Sequence, residues 1–221
     1  MTSLFESFDL MNNIYLSMNW LIMFIPFFLM SNYWLIPSRF YMFWNFIMNM
    51  LYNEFKLMMF KFEMNILLFI SILIYIFILN FVGLFPYIFT ILSHLSFSLS
   101  LSLSLWFSFM LFMLLNNYMK FLIHLVPLNT PMMLMNFMVM IEFISNMIRP
   151  LTLAIRLSAN LMAGHLLMIL LSNFLNLLNS LFLLMIFMIL QNMLMILEMA
   201  VSIIQAYVFS MLLLLYFYES K

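Results

Sequence analysis

The sequence predicts an all-α polytopic membrane protein with an upright N-terminal helix, an interfacial amphipathic helix, a helical hairpin and two long, steeply tilted C-terminal helices. Three observations carry this expectation. Of 221 residues, 68% are hydrophobic and 6% charged, with a mean hydropathy of +1.20, too little polarity to cover a soluble globule. Several apolar runs reach or exceed the ~20 residues that one helical bilayer crossing requires. Polar residues within and between those runs recur at helical intervals. A single membrane domain, residues 1–221, is expected, without internal repeats or a soluble part.

Residues 14–35 form the first apolar run, the length of one transmembrane helix, with Pro26 as a point of bending. Glu6 and Asp9 precede it without any basic residue, whereas Arg39, Lys56 and Lys61 follow. The positive-inside rule therefore places the N-terminus outside. Residues 38–63 are too broken by polar groups for a crossing, yet Asn45, Asn49, Asn53 and Lys56 follow one another at steps of four, four and three. That stripe, with Trp44, Phe46 and Phe55 on other faces, reads as an amphipathic helix lying in the interface.

Residues 65–85, closed by Pro86, and residues 95–115 form the predicted hairpin. In the second arm Ser98, Ser100, Ser102 and Ser104 alternate with leucine, a period-two pattern that in water favours a strand. In lipid a lone strand leaves its backbone groups unsatisfied, whereas a serine hydroxyl can bond back to its own helix. The segment is therefore assigned as a helix. Residues 116–130 form a polar connection.

Two longer stretches follow, 131–171 and 177–217, joined by SNFLN. At ~1.5 Å per residue each would be ~60 Å long, about twice the hydrocarbon thickness. Each is either two spans or one steeply inclined, bent helix, and the short linker makes them antiparallel neighbours. Pro150 is a natural bend in the first.

Composition excludes several classes of function. Seven basic and seven acidic residues balance, so charge gives no reason to expect a nucleic acid. Without cysteine there is no disulfide, thiolate metal site or cysteine nucleophile, and three scattered histidines do not supply the paired ligands of haem or copper proteins. Neither a cofactor nor a metal is expected. Two glycines cannot make a phosphate-cradling loop. The start, MTSLFESFDL, has the character of neither a secretory signal nor a transit peptide. Twenty-eight Met and twenty-eight Phe against two Gly point to an A/T-rich coding sequence and an organelle genome.

The candidate site lies where polarity enters the apolar stretches. Glu142, Arg149 and Arg156 are spaced by seven and seven, with Asn160 four beyond, and so share one face of a continuous helix. His165, nine residues after Arg156, falls nearly opposite. In the last stretch Gln191, Glu198 and Gln205 also recur at seven, with Ser202 beside them. Stripes of ionisable and amide groups on facing intramembrane helices are what a proton path needs.

A charge at a bilayer centre costs about 2.5–3.5 kcal/mol on insertion scales, so Arg156 demands a functional reading. It does not release a proton, which makes it a fixed positive barrier and a partner for a passing carboxylate. Arg149 has two readings, a site residue or an arginine that snorkels or pairs with Glu142. His165 read alone is more often a packing group. Glu198 is either protonated or lines a wet cavity. His94, His124, Lys61 and Glu63 read as interfacial, and Gly164 as a site of close helix approach.

These residues carry a resemblance. IRPLTLAIRLSANLMAGHLL, IEFISNMIRP and LEMAVSIIQAYVFSMLLLLY, with VGLFPYIFT, SHLS, HLVPLNTP and the SRF at Arg39, resemble the a-subunit family of mitochondrial F-type ATP synthases over almost the whole chain. One departure is Asn129, at a loop position where the family pattern has glycine. The resemblance implies a multi-pass stator subunit of the inner mitochondrial membrane, with its N-terminus in the intermembrane space. Its implied partners are the c-ring, peripheral-stalk subunit b, small membrane-sector subunits and the lipid bilayer. It further implies that Arg156 faces the rotor carboxylates and that Glu198 and His165 line one half-channel. Gln205 and Asn160 would stand near the junction, with Glu142 in the other half-channel.

A stand-alone transporter would show pseudo-symmetric halves, which are lacking. A scaffold would not need Glu142, Arg156 and Glu198 in its apolar interior. The runner-up is a proton-channel subunit of a redox-driven complex, and co-purification with a ring of hairpin proteolipids separates the two.

Overall fold

The computed structural model describes residues 8–9, 18–29, 36–58, 63–85, 88–126, 131, 134–177 and 180–219, and every regular element among them is helical. Among the described residues four helices are long and apolar enough to cross a membrane.

The predicted first span is described in part. A 3-10 segment, Met18–Phe24, runs into a short helix α1, Ile25–Leu29, and Pro26 occupies the first turn of α1, where a missing amide proton costs nothing. Helix α2, Arg39–Met58, starts where Ser38 accepts the Tyr41 amide on its hydroxyl at 3.3 Å, an N-terminal cap. Met48, Leu51, Tyr52 and Phe55 form its inner face, and Phe55 is fully buried in the core. Asn49, Asn53 and Lys56 are exposed, as the polar stripe anticipates, and Asn45 is half-buried. Tyr207 reaches back to Glu54 at 3.4 Å and ties the C-terminal helix to α2.

Helix α3 covers Glu63–Gly83 and α4 covers Leu95–His124, with a 3-10 turn Ile91–Ser93 between them. The serines of α4 behave as the lipid argument requires. Ser98, Ser100, Ser102, Ser104 and Ser108 each donate to the carbonyl three residues earlier, at 2.6 to 3.2 Å. The helix runs nine residues past the expected end at 115, through the polar NNYMKFLIH, because no helix breaker precedes Pro127. Lys120 and His124 thus belong to a helix rather than a connection; Lys61, Pro86 and residues 127–130 of the expected connection, Asn129 among them, lie outside the described residues.

The consecutive helices α3 and α4 are not each other's main partners. The last two helices are α5, Met135–Leu177, and α6, Leu181–Glu219. Helix α3 packs chiefly on α6 and α4 on α5. Phe69, Phe109 and Phe217, from α3, α4 and α6, meet at ring separations of 5.4 to 6.0 Å. Helices α1, α2, α3 and α4 border a largely apolar groove of about 1060 Å³.

Both long stretches are single continuous helices of 43 and 39 residues, which settles the choice between one helix and two. Pro150, fully buried, lies within α5 without ending it. The pair is antiparallel: going along α5 from Arg149 to Arg156 to Gly164, the facing residues on α6 run back from Tyr216 to Gln205 to Glu198.

Candidate functional site

The α5–α6 pair carries most of the candidate residues, and its registry sorts them into three groups. Near the start of α5, Glu142, Asn146 and Arg149 line a cavity of about 60 Å³ with Tyr216 and aromatic residues of α4. The seven-residue spacing of Glu142 and Arg149 brings both to it. The Arg149 guanidinium carbon lies 5.3 Å from the centre of the Tyr216 ring, a cation–π contact. The cavity has room for several water molecules.

Arg156 stands at the middle of α5 with an exposed side chain, and Asn160 is exposed one turn beyond. Its own carbonyl receives a 2.7 Å hydrogen bond from Nε2 of Gln205, which is buried, while Gln205 Oε1 has no partner among the described residues. The amide thus fastens the backbone that carries the arginine and leaves the guanidinium on the outer face.

The third group lies on the far side of Arg156. A β-carbon on Gly164 would stand 2.8 Å from Oε1 and 2.9 Å from Cδ of Glu198, so the glycine makes the space that the carboxylate occupies. His165, next in the chain, is half-buried, turned toward the Gly83 backbone and the edge of Phe8, whose ring centre is 6.3 Å away. Ser202 is buried and donates to the Met199 carbonyl at 2.7 Å. Gln191 is half-buried further along α6.

One residue of this group escaped the sequence reading. Asn80 of α3 is fully buried, and its Nδ2 approaches the Ser202 carbonyl at 3.5 Å. The available signal was a lone amide in the apolar run ILNFVG, with no polar residue three or four positions away to make a stripe. Tyr216 gave no such signal, since an aromatic in LLLLYFY is indistinguishable from lipid-facing bulk.

Asn80 Oδ1, His165 Nε2, Glu198 Oε1 and Gln205 Oε1 are all buried without a protein partner among the described residues. Four such atoms where α3, α5 and α6 meet mark a polar interior, because buried polar groups in native proteins are paired with protein or water. Among the described residues no three His, Cys, Asp or Glu side chains converge as a metal site would require.

Fold and site together define a multi-span helical membrane protein whose ionisable and amide groups are gathered on a long antiparallel helix pair. The family described as ATP synthase A chain matches residues 14–218, and the chain belongs to that family. It is 52% identical to ATP synthase subunit a of Apis mellifera ligustica, over 100% of this chain and 98% of the relative. It is 50% identical to that of Locusta migratoria and 48% to that of Anopheles gambiae, each over 98% of this chain and 97% of the relative.

Proposed function

We propose that the chain is the stator subunit of the proton-translocating membrane sector of ATP synthase, in the inner mitochondrial membrane. Two offset half-channels run along α5 and α6 against a ring of c subunits, and Arg156 faces the rotor carboxylates between them. Peripheral-stalk subunit b and small membrane-sector subunits are its other partners. The chain, a single membrane domain, performs no catalysis alone.

The observation that carries this reading is the division of the polar groups by Arg156. Glu142 and Arg149 share a cavity on one side of it, and His165, Glu198, Ser202 and Asn80 cluster on the other. Arg156 itself is exposed, free to meet the ring of c subunits. Helices of 43 and 39 residues, ~1.5 Å per residue, are about twice as long as the bilayer is thick, which supports a steep inclination.

The mechanism follows from charge. A rotor carboxylate approaching a permanent cation loses its proton, because the guanidinium lowers its pKa, and regains one on moving away. Each proton crossing the membrane releases about 2.3 kcal/mol per 100 mV. Separated half-channels oblige it to ride the ring from one to the other, and rotation carries that energy to the nucleotide sites elsewhere in the complex.

Glu198→Gln keeps the shape of the carboxyl and removes its titration. With assembly intact on a native gel, proton-driven ATP synthesis falls by about a hundredfold or more, the usual scale of a lost proton-transfer group. Normal synthesis in that variant overturns the path.

A further inference from the structure

The connection between α3 and α4 is more buried and more polar than a turn between two spans requires. Thr90 and Ser93 are buried; their hydroxyls lie 2.8 Å apart, and Ser93 donates to the Thr90 carbonyl at 2.6 Å. His94 follows at the N-cap position of α4, yet its side chain caps no amide. Its ring lies 5.0 Å from that of Phe89 and 6.1 Å from that of Trp20, and its Nε2 is buried with no partner among the described residues.

His165 Nε2 is in the same condition. One residue touches both imidazoles: the Phe8 backbone hydrogen-bonds the His94 ring, and the Phe8 ring meets that of His165 edge-on. Phe8 is buried, the adjoining Asp9 is exposed, and Asn19 Nδ2 holds the Asp9 carbonyl at 3.4 Å. Thr90 closes the gap between them, its Cγ2 3.2 Å from where a β-carbon on Gly83 would stand, and His165 faces the Gly83 backbone. Phe8 thus bridges His94 and His165, with Asp9 next to it in the chain and Glu198 packed against Gly164, the residue before His165.

We propose that His94 is a further proton-transferring group, standing between outside water and His165, with Phe8 as the cap over both imidazoles. This rests on the reading of His165 and Glu198 as lining a proton path. A neutral imidazole accepts a proton on one nitrogen and releases one from the other, so each transfer returns it to its starting charge. The groups facing His94 are Phe8 and, beyond it, Asp9 from the N-terminal stretch; Trp20 from the 3-10 segment; Phe89, Thr90 and Ser93 from its own connection; and His165 of α5 across Phe8. Burial holds the His94 pKa below its ordinary value, so the ring is neutral and ready to accept.

The test uses the intact complex in vesicles, with ATP synthesis followed at constant driving force while pH is varied on the side bearing Asp9. Assembly is checked on native gels for wild type, His94→Gln, Phe8→Ala and Glu198→Gln. His94→Gln lowers the rate about tenfold, equivalent to ~1.4 kcal/mol on the barrier, and removes an inflection from the pH profile. Phe8→Ala moves that inflection upward, toward the ~6.5 of an uncovered histidine. Unchanged rates and profiles in both, with Glu198→Gln inactive, overturn the role of His94 and leave the path standing. An active Glu198→Gln overturns both. Should His94→Gln fail to assemble, the Phe8→Ala profile decides: a shifted inflection supports the cap and relay, and an unshifted one overturns them.

Discussion

Gly164 matters because of one atom it lacks. A methyl there meets the far end of a flexible Glu198 side chain at 2.8 Å rather than backbone, so the carboxylate moves before the helices do. Gly164→Ala is expected to cost only about 1 kcal/mol in stability, at the low end for overpacking, yet to slow proton-driven synthesis severely. Adding the shorter Glu198→Asp restores part of the rate, which a paired rate and thermal-stability measurement checks. His94 yields a prediction with a sign. Its pKa in the fold is depressed by burial, so below ~6.5 the unfolded chain takes up a proton that the folded one refuses. Its contribution is therefore complete above that pH and is lost as pH falls toward the folded-state value. Melting curves across pH 4.5 to 7.5 should show this loss in wild type and not in His94→Gln. Arg156 and Glu198, though not His165 read alone, were legible as candidates because they are charges in apolar stretches. Asn80 and Tyr216 were not, since their significance lies in which helix each faces, and a single sequence carries no direct record of that.

At the scale of the elements, apolar length and polar spacing were enough to mark α2 and α3 and to locate the two C-terminal stretches, though not to decide that each is one helix, because both express the requirement that backbone polar groups be satisfied away from water. The serines of α4 bond back to their own helix as that requirement predicts, against a period-two pattern. The far end of α4 was misread because polarity was taken as a stop signal, although the segment lacks a breaker before Pro127. Tyr216 joins the end of α6 to the start of α5 through the face of its ring on Arg149. Tyr216→Phe keeps that face and is expected to leave stability and proton conduction nearly intact. Tyr216→Leu loses about 0.5–2 kcal/mol, and a loss of equal size in both variants contradicts a cation–π role. Thermal aggregation of the detergent-extracted complex measures the difference.

For the whole molecule, the sequence indicated an antiparallel pair of long helices but misplaced their joint: SNFLN lies in the last turns of α5, where Ser172 bonds back to the Ile169 carbonyl at 2.8 Å, and α6 begins only at Leu181. The sequence did not indicate that α3 would choose α6 and α4 would choose α5, since small residues such as the α4 serines permit a close approach without specifying which helix makes it. That arrangement puts α3 behind the His165–Glu198 group and α4 behind the Glu142–Arg149 cavity, one wall for each side of Arg156. The central claim is that the arginine separates two proton paths. Its most direct test compares Arg156→Ala with wild type in inner-membrane vesicles, measuring proton flux and ATP synthesis after assembly is confirmed on a native gel. The account predicts an assembled complex in which synthesis is lost, with protons either blocked or leaking without rotation. Synthesis at the wild-type rate in that variant would contradict it.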